Sequence, residues 1–116
     1  MRVPIKIKLL RWVKIAYPDT VLDEHGKQLS GRTLFGNKKL EVAKDQHADA
    51  EELSATILHE ILHVSLSSSG LSEILGEELE EAIVTALENY LAPVVMFRHK
   101  DHNVKWGEIE MPWDDD

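Results

Sequence analysis

Residues 55–66, ATILHEILHVSL, place two histidines and a glutamate inside a run of aliphatic side chains. At about 100° per residue, a helix through this stretch gathers Glu52, Thr56, His59, Glu60, His63 and Ser67 into a stripe of roughly 100°. Leu53, Ala55, Ile57, Leu58, Ile61, Leu62, Val64 and Leu66 fill the rest of the circumference. Such a helix is buried on nearly every side, and its polar strip must line a cleft. The pattern runs from about residue 49 to residue 66. Acids stand near its start, where the macrodipole favours them, and Gly70 comes after it as a left-handed stop.

The spacing of the polar strip carries chemistry. Two histidines four apart on one helix face bring both imidazoles to a single ion, and zinc takes neutral nitrogens at about 2.0–2.1 Å. The glutamate between them reaches a water on that ion rather than the ion itself. His59-Glu60-x-x-His63 therefore reads as a metal site with Glu60 as its general base. A third ligand is still required. After His63 the chain offers only His99 and His102, and position 69 is Ser69, so the longer H-E-x-x-H-x-x-G-x-x-H pattern is absent. A second helix, GEELEEAIVTALENYL, is rich in acids. Leu79, Ala82, Ile83, Ala86, Leu87, Tyr90 and Leu91 define its expected buried face. Glu80 lies within that face, while Glu81 and Glu88 fall on the other side beside Thr85. A carboxylate on an apolar face needs a positive partner. Glu80 is accordingly the expected third ligand, and Glu81 is the reserve, because a small rotation of the helix exchanges them. Tyr90, His99 and His102 are the candidate donors to a developing oxyanion.

The remaining segments read as sheet and loops. IKIKL alternates Ile5, Ile7 and Leu9 with lysines, as a half-buried strand does, and Val13, Ile15 and Tyr17 repeat the period. PDTVLDEHGKQLSG collects turn formers and is expected as a loop. RTLFGNKKLEVAKD reads as a hairpin turning at Gly36-Asn37, with Leu40 and Val42 inward. Its second strand, residues 39–44, is expected at a cleft edge where an extended peptide can pair. The C-terminal stretch is polar, with Trp106 and Trp113 as docking points and Asp114–Asp116 expected to be disordered. A net charge of −8 argues against a nucleic-acid surface, which needs a basic patch. No apolar run is long enough to span a bilayer, and lysines interrupt the N-terminal apolar residues where a signal peptide has its core. With no cysteine present, an intracellular, cytoplasmic protein is expected.

TILHEILHV followed by EELEEAIVTAL resembles the small zinc metallopeptidases of the gluzincin type, most of all the minimal phage- or prophage-associated proteins related to ImmA/IrrE-type peptidases. The resemblance spans about residues 31–92. It implies an α+β, zincin-like domain over residues 1–116, with a three- to four-stranded mixed sheet packed on the active-site helix and a second long helix, and with residues 98–116 as a polar extension. It also implies one Zn2+ per chain held by His59, His63 and a glutamate, and a protein or peptide substrate. Competing readings of the same residues are a zinc-binding regulatory module without general proteolysis, and a phage structural protein with core histidines.

Overall fold

The computed structural model describes residues 1–34, 36, 38–95, 97 and 100–114. The chain opens with β1 (Arg2–Lys8) and β2 (Trp12–Ala16), an antiparallel pair. Period-two alternation works in β2, where Val13, Ile15 and the neighbouring Tyr17 are all buried. It breaks in β1. The register shifts between Pro4 and Lys6, so Val3 and Ile7 go inward and Ile5 goes out. A bulge leaves one residue unpaired and disrupts the alternation locally, and Ile5 is that residue. Of the expected inward set of Ile5, Ile7 and Leu9, Ile7 is buried and Leu9 packs against the core, and Ile5 alone is corrected.

The expected loop after β2 contains a small hairpin, β3 (Val21–Leu22) with β4 (Gln28–Leu29). Asp23 accepts hydrogen bonds from the backbone N–H groups of His25 and Lys27, each at 2.8 Å, and so closes the turn. Next come β5 (Gly31–Leu34) and β6 (Lys39–Val42), an antiparallel pair with Leu40 and Val42 fully buried. Gly36 lies in the connection with a positive φ of 60°, as the turn requires. Phe35 and Asn37 lie outside the described residues.

The helical layer begins with α1 (Ala50–Ser68). Asp49 caps it by accepting from the Glu52 N–H at 2.9 Å, and the Glu52 carboxylate accepts from the Ala48 N–H at 2.7 Å. The first bond satisfies a donor that a helix start leaves open, and the second ties the residue before the cap back onto the first turn. They also commit Glu52 to the cap rather than to the polar strip. Gly70, with φ 82°, turns the chain into α2 (Leu71–Leu75), and Gly76 leads into α3 (Glu77–Leu91). The C-terminal stretch, expected as a polar extension, supplies β7 (Val104–Glu108).

The sheet has five strands in the order β5-β6-β2-β1-β7 and is mixed: β2 and β6 are parallel, and the other neighbours are antiparallel. It has more strands than expected, because β7 pairs with β1 despite its polarity. Half of an edge strand faces water, so its composition can be polar. α1 lies over β5 and β6, and α3 packs on α1 and α2. The core joins Leu53, Ile57 and Val64 of α1 to Val3, Ile7, Val13, Ile15, Leu40 and Val42 of the sheet, with Trp106 and Trp113 packed at its margin. Asp114 is ordered. It accepts from the Met111 N–H at 3.0 Å and from the Met1 amine at 3.2 Å. Asp115 and Asp116 lie outside the described residues. Among the described residues no helix is long and apolar enough to cross a membrane.

Candidate metal centre

α1 has to bury its aliphatic side against the sheet, which turns its polar strip towards β5 and α3. His59 and His63 stand one turn apart on that strip, and their Nε2 atoms approach to 3.2 Å. Glu81 faces both rings. Its Oε1 is 3.2 Å from His59 Nε2, and its Oε2 is 3.0 Å from His63 Nε2. Among the described residues these three form the one group of histidine and carboxylate side chains whose ligand atoms lie within 4.8 Å of one another.

Glu80 has a different place from the one expected. Its Oε2 meets His63 Nδ1 at 2.6 Å, on the side of the ring away from His59. Glu88 does the same for His59, with Oε2 at 3.1 Å from Nδ1. The third acid facing the two Nε2 atoms is therefore Glu81, the reserve candidate, in place of Glu80. The cause is the rotation of α3. Its inward face carries Glu80, Val84 and Glu88, of which Val84 is fully buried, while Leu79, Leu87 and Tyr90 stay exposed. The apolar stripe expected to be buried is thus largely outside. α3 packs on a helix that presents histidines, and its acids find their partners there. With the Ser72 hydroxyl and the His63 ring beside it, the Glu80 carboxyl is held below its usual range, against the opposing effect of burial.

Each ring has a carboxylate at both nitrogens: Glu81 at the two Nε2 atoms, Glu80 at His63 Nδ1 and Glu88 at His59 Nδ1. In the tautomer with hydrogen at Nδ1, Glu80 and Glu88 accept from the rings, and the two Nε2 lone pairs stand with Glu81 as a set of ligands that one cation could take. Ligand atoms about 2.0–2.1 Å from a tetrahedral ion are roughly 3.3–3.4 Å apart, close to the observed separations. The donor set, two imidazoles and one carboxylate, is the kind that zinc accepts.

Glu60 is the next residue on the strip and is buried. The Thr33 hydroxyl on β5 donates to its Oε2 at 3.0 Å. Burial pushes the Glu60 carboxyl up. The Thr33 hydrogen bond and the two histidines pull it down, and Glu81 adds to the rise. β5 reaches this close because position 31 is glycine. A Cβ there would stand 2.9 Å from the Glu41 carbonyl oxygen and 3.0 Å from Thr56 Cγ2. Gly31, Arg32, Thr33, Glu60, His63, Ser67, Ser72 and Glu80 line a cleft of about 370 Å3.

The strand at the cleft is β5, not the expected residues 39–44. β6 is an interior strand, paired with β5 on one side and β2 on the other. The carbonyls of Ser30 and Leu34 accept from Ala43 and Lys38 on the β6 side. By the alternation of an antiparallel ladder, the N–H and C=O groups of Gly31 and Thr33 point to the open edge. The expected oxyanion donors are not gathered here. Tyr90 is 83% exposed on the outer side of α3. His102 precedes β7, at the opposite edge of the sheet from β5. His99 lies outside the described residues. Thr33, Gly31 and Glu88 are site residues that spacing arguments missed. For Glu88 a signal did exist, since it shares a helix face with Glu81 two turns earlier.

Comparison of the chain with family models, with curated proteins and with solved structures finds no match. The chemistry of the site stands on its own geometry.

Proposed function

We propose that the chain is a zinc-dependent peptidase, with His59, His63 and Glu81 as the metal-holding residues and Glu60 as the general base. The observation that carries this reading is the approach of the His59 and His63 Nε2 atoms to each other (3.2 Å) and to the two Glu81 oxygens (3.2 and 3.0 Å), next to a buried glutamate. A zinc held by His59, His63 and Glu81 would supply a Lewis acid for a carbonyl oxygen and would bring the acidity of water towards neutrality.

The residues of the chain supply the rest. Glu60 has one oxygen held by Thr33, which leaves the other to take the proton that water loses as it attacks a peptide carbonyl. A carboxyl pushed up by burial binds that proton more firmly than an exposed one, and then delivers it to the leaving amine. Thr33 fixes the direction of the carboxylate, so the proton is received at a defined place. The open edge of β5 offers main-chain groups at Gly31 and Thr33 to an extended peptide, which supports a protein or peptide as substrate.

The purified chain is expected to carry about one zinc per molecule by elemental analysis. Glu60→Gln should keep that zinc and lose hydrolysis of a peptide library. Zinc-free protein after refolding with excess metal sinks the proposal. A zinc-loaded chain that cleaves nothing reduces it to a metal-binding module.

A further inference from the structure

The two acids that flank the site on α3 contact the rings from behind. Glu80 holds His63 at Nδ1 (2.6 Å) and Glu88 holds His59 at Nδ1 (3.1 Å). Their side chains are mostly covered, 16% and 24% exposed, whereas Glu81 is 57% exposed. A covered carboxylate costs free energy unless it has a partner, and here the partner is the Nδ1 of a ring. The geometry has an antiparallel logic: His59 precedes His63 on α1, and their partners come in the reverse order on α3. A single helix thereby presents one acid to the front of both rings and one acid to the back of each.

We infer that Glu80 and Glu88 are positioning residues that hold His63 and His59 in the Nδ1–H tautomer, with both Nε2 lone pairs aimed at the ion. This inference rests on the metal reading of the site. Either histidine freed from its acid turns about its side-chain bonds and exchanges its ring proton, so only part of its population presents the Nε2 lone pair. Outer partners of this kind contribute about 10–100-fold to metal affinity.

The test is zinc affinity, measured by competition with a chromophoric chelator, on the full chain and its variants. Glu80→Ala and Glu88→Ala are each expected to bind zinc about 10–100-fold more weakly than the parent. Glu80→Gln and Glu88→Gln keep an acceptor of the same size and are expected to lose less. Glu78→Ala removes the same charge from an exposed position of α3 and is expected to leave affinity within about twofold, since screened surface charges couple weakly. Nitrogen NMR of the zinc-loaded parent should show both rings protonated at Nδ1. The inference is overturned if the alanine variants match the parent, or if Glu78→Ala loses as much as they do. It is also overturned if Glu80→Ala abolishes binding while Glu81→Ala retains it, which would make Glu80 the ligand. A parent chain that takes up no zinc defeats the peptidase proposal as well. A parent that binds zinc, with variants that bind equally well, defeats this inference alone.

Discussion

α1 is held by two unlike contacts. Towards the sheet it offers Leu53, Ile57 and Val64, which join Leu40, Val42, Val13 and Ile15 in one apolar cluster. Towards α3 it offers His59 and His63, which face Glu80, Glu81 and Glu88. The first contact works by area removed from water, and it responds little to protons, salt or metal. The second is made of ring nitrogens and carboxylates, and its strength depends on protons and on a cation, if one is bound between them. A helix rigid on one side and conditional on the other is suited to a metal site. The apolar side fixes where the rings start, and the polar side sets what they can hold.

The largest effect that separates the two contacts is expected on the sheet side. Leu40 is fully buried, and Leu40→Ala should lower unfolding free energy by about 2–5 kcal/mol in denaturant titration. The loss should be the same with and without zinc. A loss that disappears on adding metal would show that the two contacts are not separate.

Gly31 sits where the contacts meet, between β6 and α1. Gly31→Ala forces a Cβ to within 2.9 Å of a backbone oxygen, and neither β6 nor α1 yields cheaply. Overpacking of this kind costs about 1–3 kcal/mol. Thr33 moves with its strand, so the hydrolysis proposed for this site should fall more than stability does. Unchanged activity would mean that β5 does not set the position of Glu60.

The smallest expected effect concerns pH and the metal-free chain. Burial raises the Glu60 carboxyl, so the folded chain binds that proton more tightly than the unfolded chain. The associated stability is fully present below the ordinary glutamate range. It is lost as pH rises from that range through the raised folded value. Glu60→Gln has no such ionisation. The variant should therefore be more stable than the parent at neutral pH, with the gain closing as pH falls below the ordinary glutamate range. Parallel stability curves for the two chains would contradict the burial of an ionisable group at this position.

The parts of the fold that were legible in the residues share one property: each depends on neighbours close along the chain. His59 and His63 share a helix face by spacing alone, and the structure brings their Nε2 atoms to 3.2 Å. The β5–β6 hairpin and the buried Leu40 and Val42 come from alternation around a turn. β7 was hidden because an edge strand can be polar. The bulge in β1 was hidden because its cause is pairing with β7, about a hundred residues further on.

The choice between Glu80 and Glu81 shows the divide most clearly. Periodicity set Glu80 on the inward face, where it lies, but put Glu88 outside and buried the wrong apolar stripe. The angle at which a helix rolls against its neighbour depends on what that neighbour presents. α1 presents two imidazoles rather than an aliphatic surface, so α3 turns Glu80 and Glu88 inward and leaves Leu79 and Tyr90 in water. Local spacing was enough to place His59, Glu60 and His63 on one strip of one helix. The third acid, the threonine on Glu60 and the carboxylates behind the rings came from the packed chain, because they meet the site across gaps that no periodicity spans.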